Sequence, residues 1–150
     1  MKLAEALQER SDLNRKLDEL RDRLSNNVIV QEGETPPEDP NELLIQFDAA
    51  AARLEVLMAR INLTNAATAD GGETVTALIA RKDALNQQVR TYRSVVNWAS
   101  QTGHRARGTE IKVISAVDVR ALQKKTDALA QELRRIDNRI QELNWKTELL

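Results

Sequence analysis

One hundred and fifty residues, 41% of them hydrophobic, suffice for one elongated core and a single domain spanning 1–150. The 22 basic and 23 acidic residues nearly cancel to a net charge of -1, so the chain lacks the basic excess that a nucleic-acid partner requires. The absence of cysteine excludes disulfides, thiolate metal sites and a thiol nucleophile, and 3% aromatic content leaves an aliphatic interior.

Met1-Lys2-Leu3-Ala4-Glu5 enters directly into an amphipathic pattern, without the uninterrupted apolar run of a signal peptide. No later stretch is apolar enough to span a bilayer as it stands, and a cytoplasmic protein is expected. Leu3, Ala6, Leu13, Leu17, Leu20 and Leu24 form the seam of a first helix, interrupted by Arg10. Ser25-Asn26-Asn27 breaks it. Val28-Ile29-Val30 is β-branched and flanked by turn formers, which predicts a short strand. Gln31 to Pro40 is acidic, carries all three prolines and reads as a loop.

Asp39-Pro40-Asn41-Glu42 is a strong helix start, with a capping carboxylate, proline at the first helical position and glutamate at the third. The second helix runs to about Ala67 with a seam of Leu44, Phe47, Ala51, Leu54, Met58 and Ile61. A second stripe lies displaced around the same cylinder: Ile45, Ala49, Ala52, Val56, Ala59 and Leu63. A helix that is apolar on two faces requires a neighbour on each.

Asp70-Gly71-Gly72 is a turn, and Thr74 or Thr76 can cap a third helix with a seam of Val75, Leu78, Lys82, Leu85, Val89, Tyr92, Val96 and Ala99. Gln101 to Gly108 is a loop made locally basic by His104, Arg105 and Arg107, and the alternation over 110–114 predicts a second strand. Ser115, with Asp118 three residues on, resembles a capping box for a final helix reaching Leu150, seamed by Val119, Leu122, Thr126, Leu129, Leu133, Ile136, Ile140 and Leu143.

Four such helices predict a mainly all-α chain: an antiparallel four-helix bundle with coiled-coil-like seams. A small two-stranded β element, 28–31 against 110–114, is expected at one end. The acidic and basic loops would face one another there.

The chemical motifs are few. A carboxylate-bridged metal site in a bundle needs Glu-x-x-His pairs, whereas the lone His104 falls in a loop, so neither metal nor cofactor is expected. Arg10, Lys82 and Thr126 interrupt the seams, where long side chains ordinarily snorkel outward. His104, Arg105, Arg107 and Lys112 offer a weak anion site, opposed by Glu32, Glu34, Glu38 and Asp39. Asn62, Thr64, Asn65, Thr74 and Asn144 gather at one bundle end as polar-pocket candidates, although helix caps use the same residue types. No catalytic constellation emerges, and no small molecule is identified.

Trp98 and Trp145 lie off their own helices' seams, where a large indole covers a bundle end or meets another chain. Together with Ile45, Ala49, Ala52, Val56 and Leu63 they form the expected interface of a homo-oligomer, because a lone bundle needs only one broad apolar face per helix.

The segments MKLAEALQERSDL, VQEGE, INLTNAAT, EIKVISAVDV and NWKTELL together resemble the septicolysin-like family of small bacterial proteins, over essentially the whole chain. The family name implies a membrane-active cytolysin, with no catalytic or binding residue to carry over. Asp48, Arg53, Glu55 and Arg60 interrupt the most apolar helix and oppose its insertion as an isolated segment. The expectation is therefore a non-enzymatic, self-associating protein acting through protein contacts. Membrane activity, or a ligand or enzymatic site at the polar bundle end, stands as the alternative.

Overall fold

Among the described residues, 1–102 and 111–150 of a computed structural model, four long helices pack pairwise beside a small antiparallel element, so the chain is mainly α. They are α1 (Leu3–Asn27), α2 (Pro40–Ala67), β1 (Ala69–Asp70), β2 (Glu73–Thr74), α3 (Val75–Ala99) and α4 (Val119–Lys146). The chain divides into two compact units, one of Met1–Thr74 with Leu143–Leu150, the other of Val75–Glu142.

In the first unit α1 and α2 run antiparallel. Leu3, Ala6, Leu57, Ile61 and Leu149 form a buried cluster, with Leu7 and Leu13 packed against it. The α1 seam is the one its leucine spacing predicts, continued by Asn27. Arg10 is exposed and projects outward. The Asn27 side chain donates to the Arg23 carbonyl at 2.8 Å and accepts from the Glu38 N–H at 3.0 Å, so one amide ties the helix end to the loop that follows.

The buried face of α2 keeps Phe47, Leu54 and Ile61 of the expected seam and departs from it at Leu44 and Met58. Leu43, Ala50, Leu57, Ile61 and Thr64 are buried, with Phe47 and Leu54 half-buried between them, and Leu44 and Met58 are exposed. Positions 43, 47, 50, 54, 57, 61 and 64 step by four and three without interruption, which keeps one stripe against one neighbour. Ala50 and Thr64 disguise that stripe because small and hydroxylated residues carry little hydrophobic signal.

Asp39 caps α2 as expected, its carboxylate accepting from the Asn41 N–H at 2.9 Å. Asp39→Ala is expected to lower the unfolding free energy by about 0.5–2 kcal/mol, read as a lower urea midpoint. At α4 the cap differs from the expectation. Asp118 accepts the Ala121 N–H at 3.0 Å, while the Ser115 hydroxyl is held by Val117 outside the helix. The helix therefore begins at Val119, four residues beyond Ser115, with the Asp118 side chain accepting an N–H group of its first turn.

The β element also lies elsewhere than expected. Residues 28–31 form no strand, and Val28, Ile29 and Val30 are exposed; residues 111–114 form none either, and Glu110 lies outside the described residues. The pairing is Ala69 with Thr74 and Asp70 with Glu73, around Gly71 and Gly72 at φ 58° and 85°. Two consecutive residues at positive φ make a tight turn with the twist a hairpin needs, and only glycine adopts both without strain. A local two-residue closure forms more readily than pairing between segments some eighty positions apart.

The C-terminal residues return to the start of α1. Leu3 N–H donates to the Thr147 carbonyl and Leu149 N–H to the Met1 carbonyl, both at 2.9 Å, on either side of a Lys2–Glu148 bridge. Leu150 N–H donates to the Thr64 hydroxyl at 3.0 Å. These bonds end α4 at Lys146 rather than Leu150 and seat Leu149 in the buried cluster.

In the second unit α3 and α4 run antiparallel, joined by Arg81–Glu132 at 2.8 Å and by a Lys82–Asp137 ion pair. Lys82 therefore occupies its seam position with a partner across the helix pair. Thr126 is buried, with its hydroxyl donating to the Leu122 carbonyl at 2.7 Å. The Lys125 ammonium stands 4.9 Å from the centre of the Tyr92 ring, a cation–π contact.

Candidate protein-contact surface

The face of α2 opposite its buried stripe remains apolar and uncovered. Ile45 is 68% exposed, Val56 53% and Leu63 62%, and Ala49, Ala52 and Ala59 between them are exposed as well. At about 100° per residue these six positions share one side of the cylinder. Acidic residues, Asp48 and Glu55, run along one edge of this stripe, and Arg53 and Arg60 along the other. Small residues through its middle permit close approach of a second helix.

The basic edge is held in place by the first unit itself. Arg53 donates to both Glu9 carboxylate oxygens, at 2.7 and 2.9 Å, and Arg60 donates to the carbonyls of Leu149 and Leu150. The Arg53 hydrogen bond holds the Glu9 carboxyl below its ordinary value of 4.5. A carboxylate lowered on folding contributes stability that is present above its unfolded value and lost as pH falls through the folded one. The advantage in melting temperature of the unmutated chain over Glu9→Gln is therefore expected to be present at pH 7 and to vanish well below pH 4.5. Thermal melts at the two pH values check this.

Glu9 also borders a groove of about 380 Å³ lined by Ala4, Glu5, Gln8, Asp12 and Trp145. Trp145, 63% exposed in the last turn of α4, forms one wall. Glu9 thus lines this groove of α1 and Trp145 and also pairs with Arg53 of α2.

Trp98 belongs to the second unit. It lines a separate groove of about 290 Å³ with Val95, Ala99, Val113, Ile114 and Val117. The exposed aliphatics Val113, Ile114 and Val117 of that groove escape the sequence pattern, because the alternation over 110–114 suggests a strand rather than open chain.

The polar candidates are dispersed in their roles. Thr64 is buried; its hydroxyl donates to the Arg60 carbonyl at 2.8 Å and accepts from Leu150 N–H. Asn144 is buried, Asn65 and Thr74 are half-buried and Asn62 is exposed. Residues 104, 105 and 107 of the basic loop lie outside the described residues, and Lys112 is exposed. Among the described residues no three His, Asp or Glu side chains are placed to hold a metal ion, and no helix is long and apolar enough to cross a membrane.

Residues 10–149 match DUF6847, a family of unknown function. A crystal structure of a functionally unknown conserved protein from Corynebacterium diphtheriae is similar, at 37% identity. The match covers 100% of this chain and 99% of that one, with a TM-score of 0.94. No curated protein matches.

Proposed function

We propose, from the premise that the chain belongs to the DUF6847 family of unknown function, that it works without catalysis, as a self-associating helical protein. The outer stripe of α2 is the contact between copies. The observation that carries this reading is the exposure of Ile45, Val56 and Leu63 along one line, on the side of α2 turned away from its own core. Burying one aliphatic side chain contributes about 1.5–3 kcal/mol, so two copies of the stripe supply enough to offset the freedom lost on association. Trp145, exposed on the same unit, offers a further indole to a contact between copies.

Association that favours the folded state makes apparent stability depend on concentration. The melting temperature of the unmutated chain is expected to rise with protein concentration from the nanomolar to the high micromolar range. A midpoint constant across that range sinks the reading.

The same exposed stripe supports one other reading, the membrane activity implied by resemblance to septicolysin-like proteins. A helix with an apolar line between charged edges can lie in a lipid interface without spanning it. Dye release from liposomes by the protein alone discriminates the two readings. No leakage across lipid charges and pH retires the membrane reading.

A further inference from the structure

Resting on α2 as the contact between copies, we infer that two chains meet with their α2 helices parallel and in register, Asp48 and Glu55 of each facing Arg53 and Arg60 of the other. The apolar pattern alone does not choose a direction. Read from either end, Ile45, Ala49, Ala52, Val56, Ala59 and Leu63 run from a large residue through three alanines and one valine to a large residue. Either orientation therefore sets large ends against large ends, around a middle that is mostly alanine.

The charges break that tie. In a two-helix seam the flanking positions of a parallel pair meet the opposite edge of the partner, one turn and a half along. Asp48 then lies against Arg53 of the second copy and Glu55 against Arg60, five residues on in each case. The twofold repeats both pairs. Reversing one helix brings each edge against its own kind: arginines opposite arginines and carboxylates opposite carboxylates. Like charges across a seam exclude an arrangement more effectively than opposite charges stabilise the right one.

The intramolecular bonds already described leave this arrangement open. Glu9 engages Arg53 through Nε and Nη2, and a guanidinium carries a further terminal nitrogen. Those bonds also fix the Arg53 head group before a second copy arrives. A pre-positioned cation loses less freedom on pairing.

A chain without cysteine makes the test direct. Ile45→Cys and Leu63→Cys are prepared singly, since both sites are exposed and neither substitution disturbs the core, with exposed Asn14→Cys as control. Under mild oxidation each of the first two is expected to form a disulfide-linked dimer by itself, and the control none. A linked dimer only when the two variants are mixed means antiparallel helices and overturns the inference while leaving α2 as the contact. A dimeric mass with no link in any combination overturns α2 as the contact, and a monomeric mass for the unmutated chain overturns self-association itself. As a second measurement, Asp48→Lys with Glu55→Lys is expected to weaken association roughly tenfold or more, with the helical signal unchanged. Undiminished association in that variant overturns the charge pairing.

Discussion

Val56→Asp is expected to turn the associated protein into a monomer at micromolar concentration, with its far-UV helical signal intact. Val56 lies mid-stripe, 53% exposed in the single chain, so a carboxylate there stays hydrated in the monomer. Surface substitutions of this kind change the stability of a fold by only about 0.5 kcal/mol. In the proposed parallel pair the same carboxylate would be buried between two helices, opposite its own copy. Desolvation and like-charge repulsion act together and cost on the order of 3 kcal/mol or more, a loss of at least about a hundredfold in affinity. The melting temperature of the variant should equal that of the unmutated chain at extreme dilution, and should no longer vary with concentration.

Leu57→Ala, one residue along, is expected to do the reverse. Leu57 is fully buried in the cluster with Leu3, Ala6, Ile61 and Leu149. Removing three carbons there loses their transfer free energy and leaves a cavity, for about 2–5 kcal/mol. A small domain is stable by about 5–15 kcal/mol, so the loss is a large share of the whole. Urea unfolding should show a lower midpoint with an unchanged slope, because the surface exposed on unfolding stays the same. At concentrations where the fold persists, the outer stripe is untouched and the associated mass should survive. The two neighbouring positions thus separate the face that holds the chain together from the face proposed to join copies.

Much of this was legible in the residues. The seams of α1, α3 and α4 follow their three-and-four spacing because each has one dominant apolar line and charged flanks. On α2 three adjacent leucine and isoleucine residues, 43 to 45, start three competing lines. Periodicity alone cannot rank them. Which line turns inward is decided by the partner, and Ala50 and Thr64 are buried where a pattern of large side chains is silent. The outer stripe was legible as surplus apolar surface, since it keeps its own unbroken spacing.

Other features depended on competition between local signals. Val28-Ile29-Val30 has the composition of a strand, but Asn27 secures the helix end and the loop beyond it, and the triplet stays unpaired. Gly71-Gly72 supplied the hairpin instead, through backbone freedom rather than β propensity. The return of Thr147–Leu149 across Met1–Leu3 had no periodic signature at all. It rests on a few backbone hydrogen bonds, one buried leucine and the ion pairs of Glu148, whose carboxyl is held below its ordinary value chiefly by Lys2 and then by the N-terminal amine. For the same reason the two tryptophans, equivalent as sequence, fall in different units: Trp145 follows the returning chain end and Trp98 does not.

The solution mass of the unmutated chain, by sedimentation equilibrium from low to high micromolar concentration, bears most directly on the outer face of α2. A whole-number multiple of 16.9 kDa that falls toward one chain on dilution is the predicted result. A mass of 16.9 kDa at every concentration, with Ile45, Val56 and Leu63 left open to water, contradicts it.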